Sequence, residues 1–525
     1  GEEGKEGEEG EEGEEEGEPH YSQTDVQVAC MLLGSVSFVM ALLYLVNWSD
    51  DDIRRYTWKI ISTTISIFLA VLLFSGFNEI LLSCLDGTGK PAKCIAQILH
   101  SFLYIIVLQF AISYISGAIC EEGRVDLDEE VWVINDPLSK DNGVTINESK
   151  VRNHKVKRSA FEDDYGMEVP VMKIKKELNE RLRKMKCYAR LLAHMAGFAA
   201  INSGATMQQL SIFASKPIMT LLPVLITQFI ILMVFRLFGR LREMKQEQSK
   251  QAGRAGRRAK MAHEEVFEAE NDISALSCSF LLIQVVRYAI CGVLPNAEGL
   301  EESERNKTVL EVSSLYLSGV LFALISVALV IALARAGGGE GGEEEEPKSC
   351  GGRIMVIGLN ASAMAFAWCV LWGTRWLAHG IHGLNMESIM GRVILALALS
   401  AAACLAVFLL DSVDDALKAS GSGGDHHLED VAASAIQMII NGLGILVGFS
   451  WEHSFDGGVA AVASMTNHPE IIKFFMGLLI AVVMTPMWRN HILTKEMALV
   501  QLRLDRIKAQ KKKEEATLIH KNAPE

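Results

Sequence analysis

Toward the outer ends of stretches that are otherwise apolar stand Glu79, Arg287 and Arg375, with Glu452 at the edge of another. A charge in such a stretch is costly, so it faces a bundle interior or water and takes a partner. Two acids and two bases at similar depth could bind an ion or a charged solute. One of the acids could also exchange a proton as its surroundings change. Counting about 1.5 Å per residue, Glu79 lies ~5 Å and Arg287 ~10 Å below the nearest span end.

Polar neighbours accompany these charges. Asn78 precedes Glu79, and His453 follows Glu452 in the run 451–458, the densest polar and aromatic stretch at a span edge. Asn202, Gln208, Gln209, Asn360, Gln437 and Asn441 are amides in apolar surroundings, the setting of interhelical hydrogen bonds. The expected ion- or solute-binding set is Glu79, Asn78, Gln208, Arg287, Arg375, Glu452 and His453. Glu79 is its coupling carboxylate, with Arg375 or Arg287 as partner.

Other chemistry is thinner. The ten cysteines contain no CxxC pair. Cys84 and Cys94 flank a turn-rich loop, and a disulfide is expected there if the loop faces an oxidising compartment. His379 and His382 offer too few ligands for a metal. No phosphate-binding loop is present, and the GxGxxG-like glycines at 337–342 belong to a Gly/Glu run. An enzyme, a resident metal or a cofactor is therefore not expected. Nor is a nucleic-acid partner expected, given a formal net charge of -14.

The elements that must position these residues are eleven apolar stretches: 26–47, 58–82, 95–119, 187–213, 218–238, 273–294, 309–334, 354–377, 389–410, 431–450 and 471–488. Each is close to the ~20 residues a helix needs to cross the hydrocarbon core. The expected fold is all-α, a polytopic bundle of about eleven membrane helices in a lipid bilayer. Between them lie an acidic tail (1–25), a polar loop (120–186), a charged helix (239–272), a Gly/Glu loop (335–353) and a charged C-terminal tail (489–525). The two acidic low-complexity segments cannot bury a core and are expected to be disordered. The two charged helical segments suit anionic lipid headgroups or a cytosolic partner.

Charge also sets orientation. Most Lys and Arg follow odd-numbered spans, which puts the N-terminus outside or in a lumen and the C-terminus in the cytosol. The sequon at Asn306 falls on that outer side, as a glycosylation site must. The membrane is a plasma or an organelle membrane.

Spans one to five and seven to eleven share a rhythm, with the sixth restoring parity. Spans two, four, eight and ten each carry a glycine followed by polar groups: Gly76, Gly204, Gly373 and Gly448. Two parallel five-helix repeats are the expectation, with a site between them. The general design is similar to that of secondary transporters. Transport of a small solute or ion, coupled to a proton or cation, is the first expectation. An ion channel and a non-transporting scaffold subunit are the alternatives; a channel would want a filter-like sequence, and none is visible.

Overall fold

A chain crossing hydrocarbon must satisfy its own backbone N–H and C=O groups, so these apolar runs form helices. The computed structural model describes residues 23–118, 171–251, 257–301, 305–336, 350–381, 384–386, 388–420 and 426–521. Among them there is no strand. The helices are α1 (Gln23–Val46), α2 (Asp51–Cys84), α3 (Lys90–Ile115), α4 (Val171–Gln208), α5 (Pro217–Gln251) and α6 (Arg257–Cys291). They continue as α7 (Val309–Ala336), α8 (Cys350–His379), α9 (Ile389–Ser420), α10 (His426–Ala463), α11 (Pro469–Met487) and α12 (Leu493–Lys521). A π turn, Trp488–Ile492, joins α11 to α12 into one rod. The acidic tail and most of the 120–186 and 335–353 loops lie outside the described residues.

Ten of these rods are long and apolar enough to span a membrane. The exception is α4, which the sequence reads as an ordinary span to residue 213. It ends instead at Gln208, and 209–216 turn the chain into α5. Its weak hydropathy has a cause. Every residue from Met195 to Ile201 is buried, so α4 is enclosed on all sides by other helices and needs no lipid-facing stripe. The charged 239–272 segment is not a separate helix either. Its residues extend α5 to Gln251 and begin α6 at Arg257.

Five even-numbered helices, α2 to α10, form a closed ring. In order, α2 packs on α4, α4 on α6, α6 on α8, α8 on α10, and α10 back on α2. The odd helices lie outside it: α3 against α4, α5 against α6, α7 against α8, α9 against α10, and α11 against α2. Burial agrees. Between 44% and 67% of the apolar window is buried in α2, α6, α8 and α10, against 6% to 39% in the odd helices.

Local chemistry fixes the ends. Asp50 caps α2, its Oδ1 accepting from the Asp52 and Ile53 amides at 2.7 and 3.2 Å. Pro469 opens α11, where its missing N–H costs nothing. Gly76 lets α2 touch α11, because a Cβ there would sit 2.9 Å from the Phe474 Cα.

Candidate functional site

Each ring helix is followed by an antiparallel neighbour, so all five run in one direction. Around the end that holds their C-termini they enclose a cavity of about 610 Å³. Its floor is aromatic and lies near the middle of the bundle. Phe74 of α2, Phe198 of α4, Phe280 of α6, Trp368 of α8 and Phe449 of α10 all line it. Their rings form a connected arc. Phe74 and Phe198 centroids are 6.3 Å apart, Phe198 and Phe449 5.3 Å, Phe449 and Trp368 4.3 Å, and Trp368 and Phe280 4.9 Å. The Trp368 indole N–H is satisfied by the Ser279 hydroxyl at 3.2 Å.

The upper wall is polar. Asn78 and Glu79 enter from α2, Arg375 from α8, Glu452, His453 and Asp456 from α10. The sequence-expected set therefore divides. Five of its members line one cavity: Asn78, Glu79, Arg375, Glu452 and His453. Asn202 of α4 joins them.

Gln208 and Arg287 do not line it. Gln208 is fully buried, and its amide donates to the carbonyls of Thr220 at 3.1 Å and Leu281 at 3.3 Å. It ties the end of α4 to α5 and α6. Arg287 is also buried, donating to the Gly299 carbonyl at 2.7 Å and pairing with Glu301 at 2.8 Å. Its guanidinium lies 4.0 Å over the Trp372 ring. Glu301 further accepts from the Trp376 indole at 3.1 Å and pairs with Lys307. This knot pins the α6–α7 loop across α8. Gly299 is required within it: its φ is +85°, and a Cβ would meet Trp372 at 2.8 Å and Phe280 at 3.0 Å.

The expected partner of Glu79 is also corrected. Neither arginine pairs with it; Lys473 of α11 does, at 2.5 Å. The same ammonium holds Asp456 at 2.9 Å. Lys473 is 8% exposed and so bridges α2 and α10 from inside the bundle. Sequence reasoning misses it because it lies 394 residues from Glu79. The available signal was a further charge inside an apolar span. Arg392 of α9 and Glu298 of the α6–α7 loop are likewise missed. Arg392 donates to the His453 carbonyl at 3.2 Å.

Glu452 stands apart. It is 5% exposed and lines the cavity. Among the described residues, no cation comes within ion-pair distance of its carboxylate. Lys473 and Arg392 act on it from further away, opposed by Asp456 and Glu298. In the loop above, crowding by protein, then Asp456 and Glu79, push the Glu298 carboxyl above its ordinary range, although the side chain reaches solvent at the mouth. Burial pushes Glu301 the same way. Arg287 and Lys307 outweigh that and hold it below its ordinary range.

The expected disulfide is absent. Cys84 is exposed at the last residue of α2, whereas the Cys94 thiol is buried on the second turn of α3, and both are free. Asn306 is exposed in the α6–α7 loop.

Below the floor the ring closes. About 18 Å along α2 from Phe74, Ser62 accepts from the indole of the fully buried Trp488 at 2.9 Å. About 12 Å along α4 from Phe198, Arg190 pairs with Glu496 of α12 at 2.8 Å. Lys186 pairs with Glu265 of α6 at 2.9 Å. Burial alone would lower the Lys186 pKa, but Glu268 and Glu265 hold it above its ordinary range. The cavity therefore opens at one end and is blocked at the other. Comparison with known proteins returns no match to a family model, a curated sequence or a solved structure.

Proposed function

We propose that this protein carries a small solute across its membrane by opening the central cavity to each side in turn. One observation carries the reading: a mid-depth cavity reached from one end and closed at the other by ion pairs and a buried tryptophan. A carrier needs a half-way site with only one side open at a time. An open channel would need a path through both ends. Pairings within α1–α5 also recur in α7–α11: α1 with α2 and α7 with α8, α2 with α4 and α8 with α10, α3 with α4 and α9 with α10. That recurrence supports two parallel repeats, with the cavity between them. By the distribution of Lys and Arg, the mouth faces outward or to a lumen, and the Arg190–Glu496 end faces the cytosol.

Coupling to a proton or cation fits Glu452 better than Glu79. Glu79 already has Lys473, and its side chain is 36% exposed. Glu452 is buried and, among the described residues, has no ion-pair partner; such a carboxylate is stable when a proton or cation sits on it. The groups facing it are His453 and Asp456 on α10, Glu79, Arg375, Arg392, Lys473 and Glu298.

The test is flux in proteoliposomes holding the full chain, with a panel of ions and small organic solutes under an imposed pH gradient. We expect accumulation driven by the gradient. Glu452→Gln should keep exchange but lose the dependence on the gradient, while Glu79→Gln should retain it. Folded protein that moves no member of the panel overturns the carrier reading.

A further inference from the structure

We infer that the cavity recognises a small organic cation, an amine or quaternary ammonium with an apolar body. The inference deepens the carrier reading and concerns the same cavity. Two independent features carry it.

The first is the floor. Five aromatic side chains line the lower cavity: Phe74, Phe198, Phe280, Trp368 and Phe449; Trp372 lines it one turn above Trp368, with Arg287 already over its ring. They come from all five ring helices, and the first four ring contacts follow one another without a break. Ring faces attract a cation through their quadrupole, most strongly when water is excluded. They also bury an apolar body. An anion gains nothing from such faces.

The second is the charge above the floor. Among the described residues, four carboxylates line the cavity against three cationic side chains and the His453 imidazole. Lys473 takes up two of the carboxylates, Glu79 and Asp456. Glu298 and Glu452 remain, beside Arg375 and Arg392; Glu298 reaches solvent at the mouth, whereas Glu452 is buried, one turn of α10 above Phe449, and has no ion pair among the described residues. An ammonium lying against Phe449 and Trp368 would meet this carboxylate while its body filled the aromatic arc. The C-terminal ends of the ring helices surround the mouth and add partial negative charge. At about 610 Å³ the cavity is of small-molecule size.

The test uses purified full-length protein and tryptophan fluorescence, since Trp368 and Trp372 line the cavity. The probes are phenethylamine and tetraethylammonium, compared with neutral 2-phenylethanol and anionic phenylacetate. Both cations should bind at least about tenfold more tightly than the other two, a 1.4 kcal/mol preference. Glu452→Gln should lose about tenfold in affinity for phenethylamine and leave 2-phenylethanol unchanged. Should that variant lose its cooperative melt, Phe449→Leu decides, with a several-fold loss for both cations expected. Phenylacetate binding as tightly as phenethylamine, or no probe binding at all, overturns the inference. Uptake into vesicles separates it from the carrier reading. Cations that bind but are not taken up overturn transport and leave the ligand class standing. Uptake of neutral or anionic solutes alone does the reverse.

Discussion

At the scale of single residues, the charges of this bundle divide by whether they have been answered. Arg287 and Glu301 satisfy each other, with Lys307 and Trp376 completing the shell. Their work is structural: they hold down the loop that brings Glu298 to the mouth. The pH consequence follows from Glu301. Its folded pKa is depressed, so the stability it contributes is full above the ordinary Glu value of about 4.3 and is lost as pH falls through the lower folded value. Acid should therefore release the α6–α7 loop before the ring itself opens. Protection of residues 292–301 against hydrogen exchange, measured relative to the intrinsic rate at each pH, is expected to fall as pH drops below about 4, with little change in α4. Glu301→Gln should show fast exchange already at neutral pH and no further acid step. A loop whose exchange ignores both pH and that substitution would remove Glu301 from this role.

Elements are placed by how closely their backbones approach. The α2–α11 contact sets the position of Lys473 beside Glu79, and Gly76 permits it. Gly76→Ala adds a Cβ 2.9 Å from a backbone Cα, where no flexible side chain can give way. The helix-propensity gain of about 1 kcal/mol competes with an overpacking cost of about 1–3 kcal/mol, so net destabilisation is expected. Gly239 of α5 is the control, since its new Cβ would find only the Arg242 tip at 4.0 Å. Gly239→Ala should raise the Tm slightly and Gly76→Ala should lower it; equal shifts would mean the α2–α11 contact is loose. This scale also marks what a sequence reveals. The apolar runs announce the helices because crossing lipid leaves little choice of composition. Glu79, Arg375 and Glu452 announce themselves as charges where charge is costly. Gln208 and Arg287 look the same in sequence, yet they face sideways into neighbouring helices. The side a residue faces depends on helix rotation, which long-range packing decides. For the same reason the aromatic floor is invisible beforehand. Its five ring helices each supply only one or two aromatics, and apolar aromatics are ordinary in any span.

Considered whole, the molecule is a ring of five parallel helices, held open at one end and shut at the other, with a second layer outside. One rod connects the two ends. It begins beside the cavity with Lys473, passes the π turn at 488–492, and continues to Glu496 in the closed end. Pro486 lies just before that turn and cannot donate a backbone hydrogen bond, so the regular helical bonding is interrupted between Lys473 and Glu496. If the closed end is a gate, weakening it should shift access from the mouth to the far side. Two single-cysteine reporters in a background lacking the native cysteines make this measurable. Asn202→Cys in the cavity should react with a membrane-impermeant thiol reagent from the mouth side only. Ser62→Cys, behind the block, should react from neither side. Adding Glu496→Gln removes the carboxylate that holds Arg190. Breaking a mostly buried pair in this way costs about 3–5 kcal/mol, enough to turn a rare open state into a common one. Labelling of Ser62→Cys from the side opposite the mouth should then rise at least about tenfold, while labelling of Asn202→Cys from the mouth falls. A rise at Ser62→Cys with no fall at Asn202→Cys would mean a leak through both ends, and the protein would be a pore that the ion pairs plug.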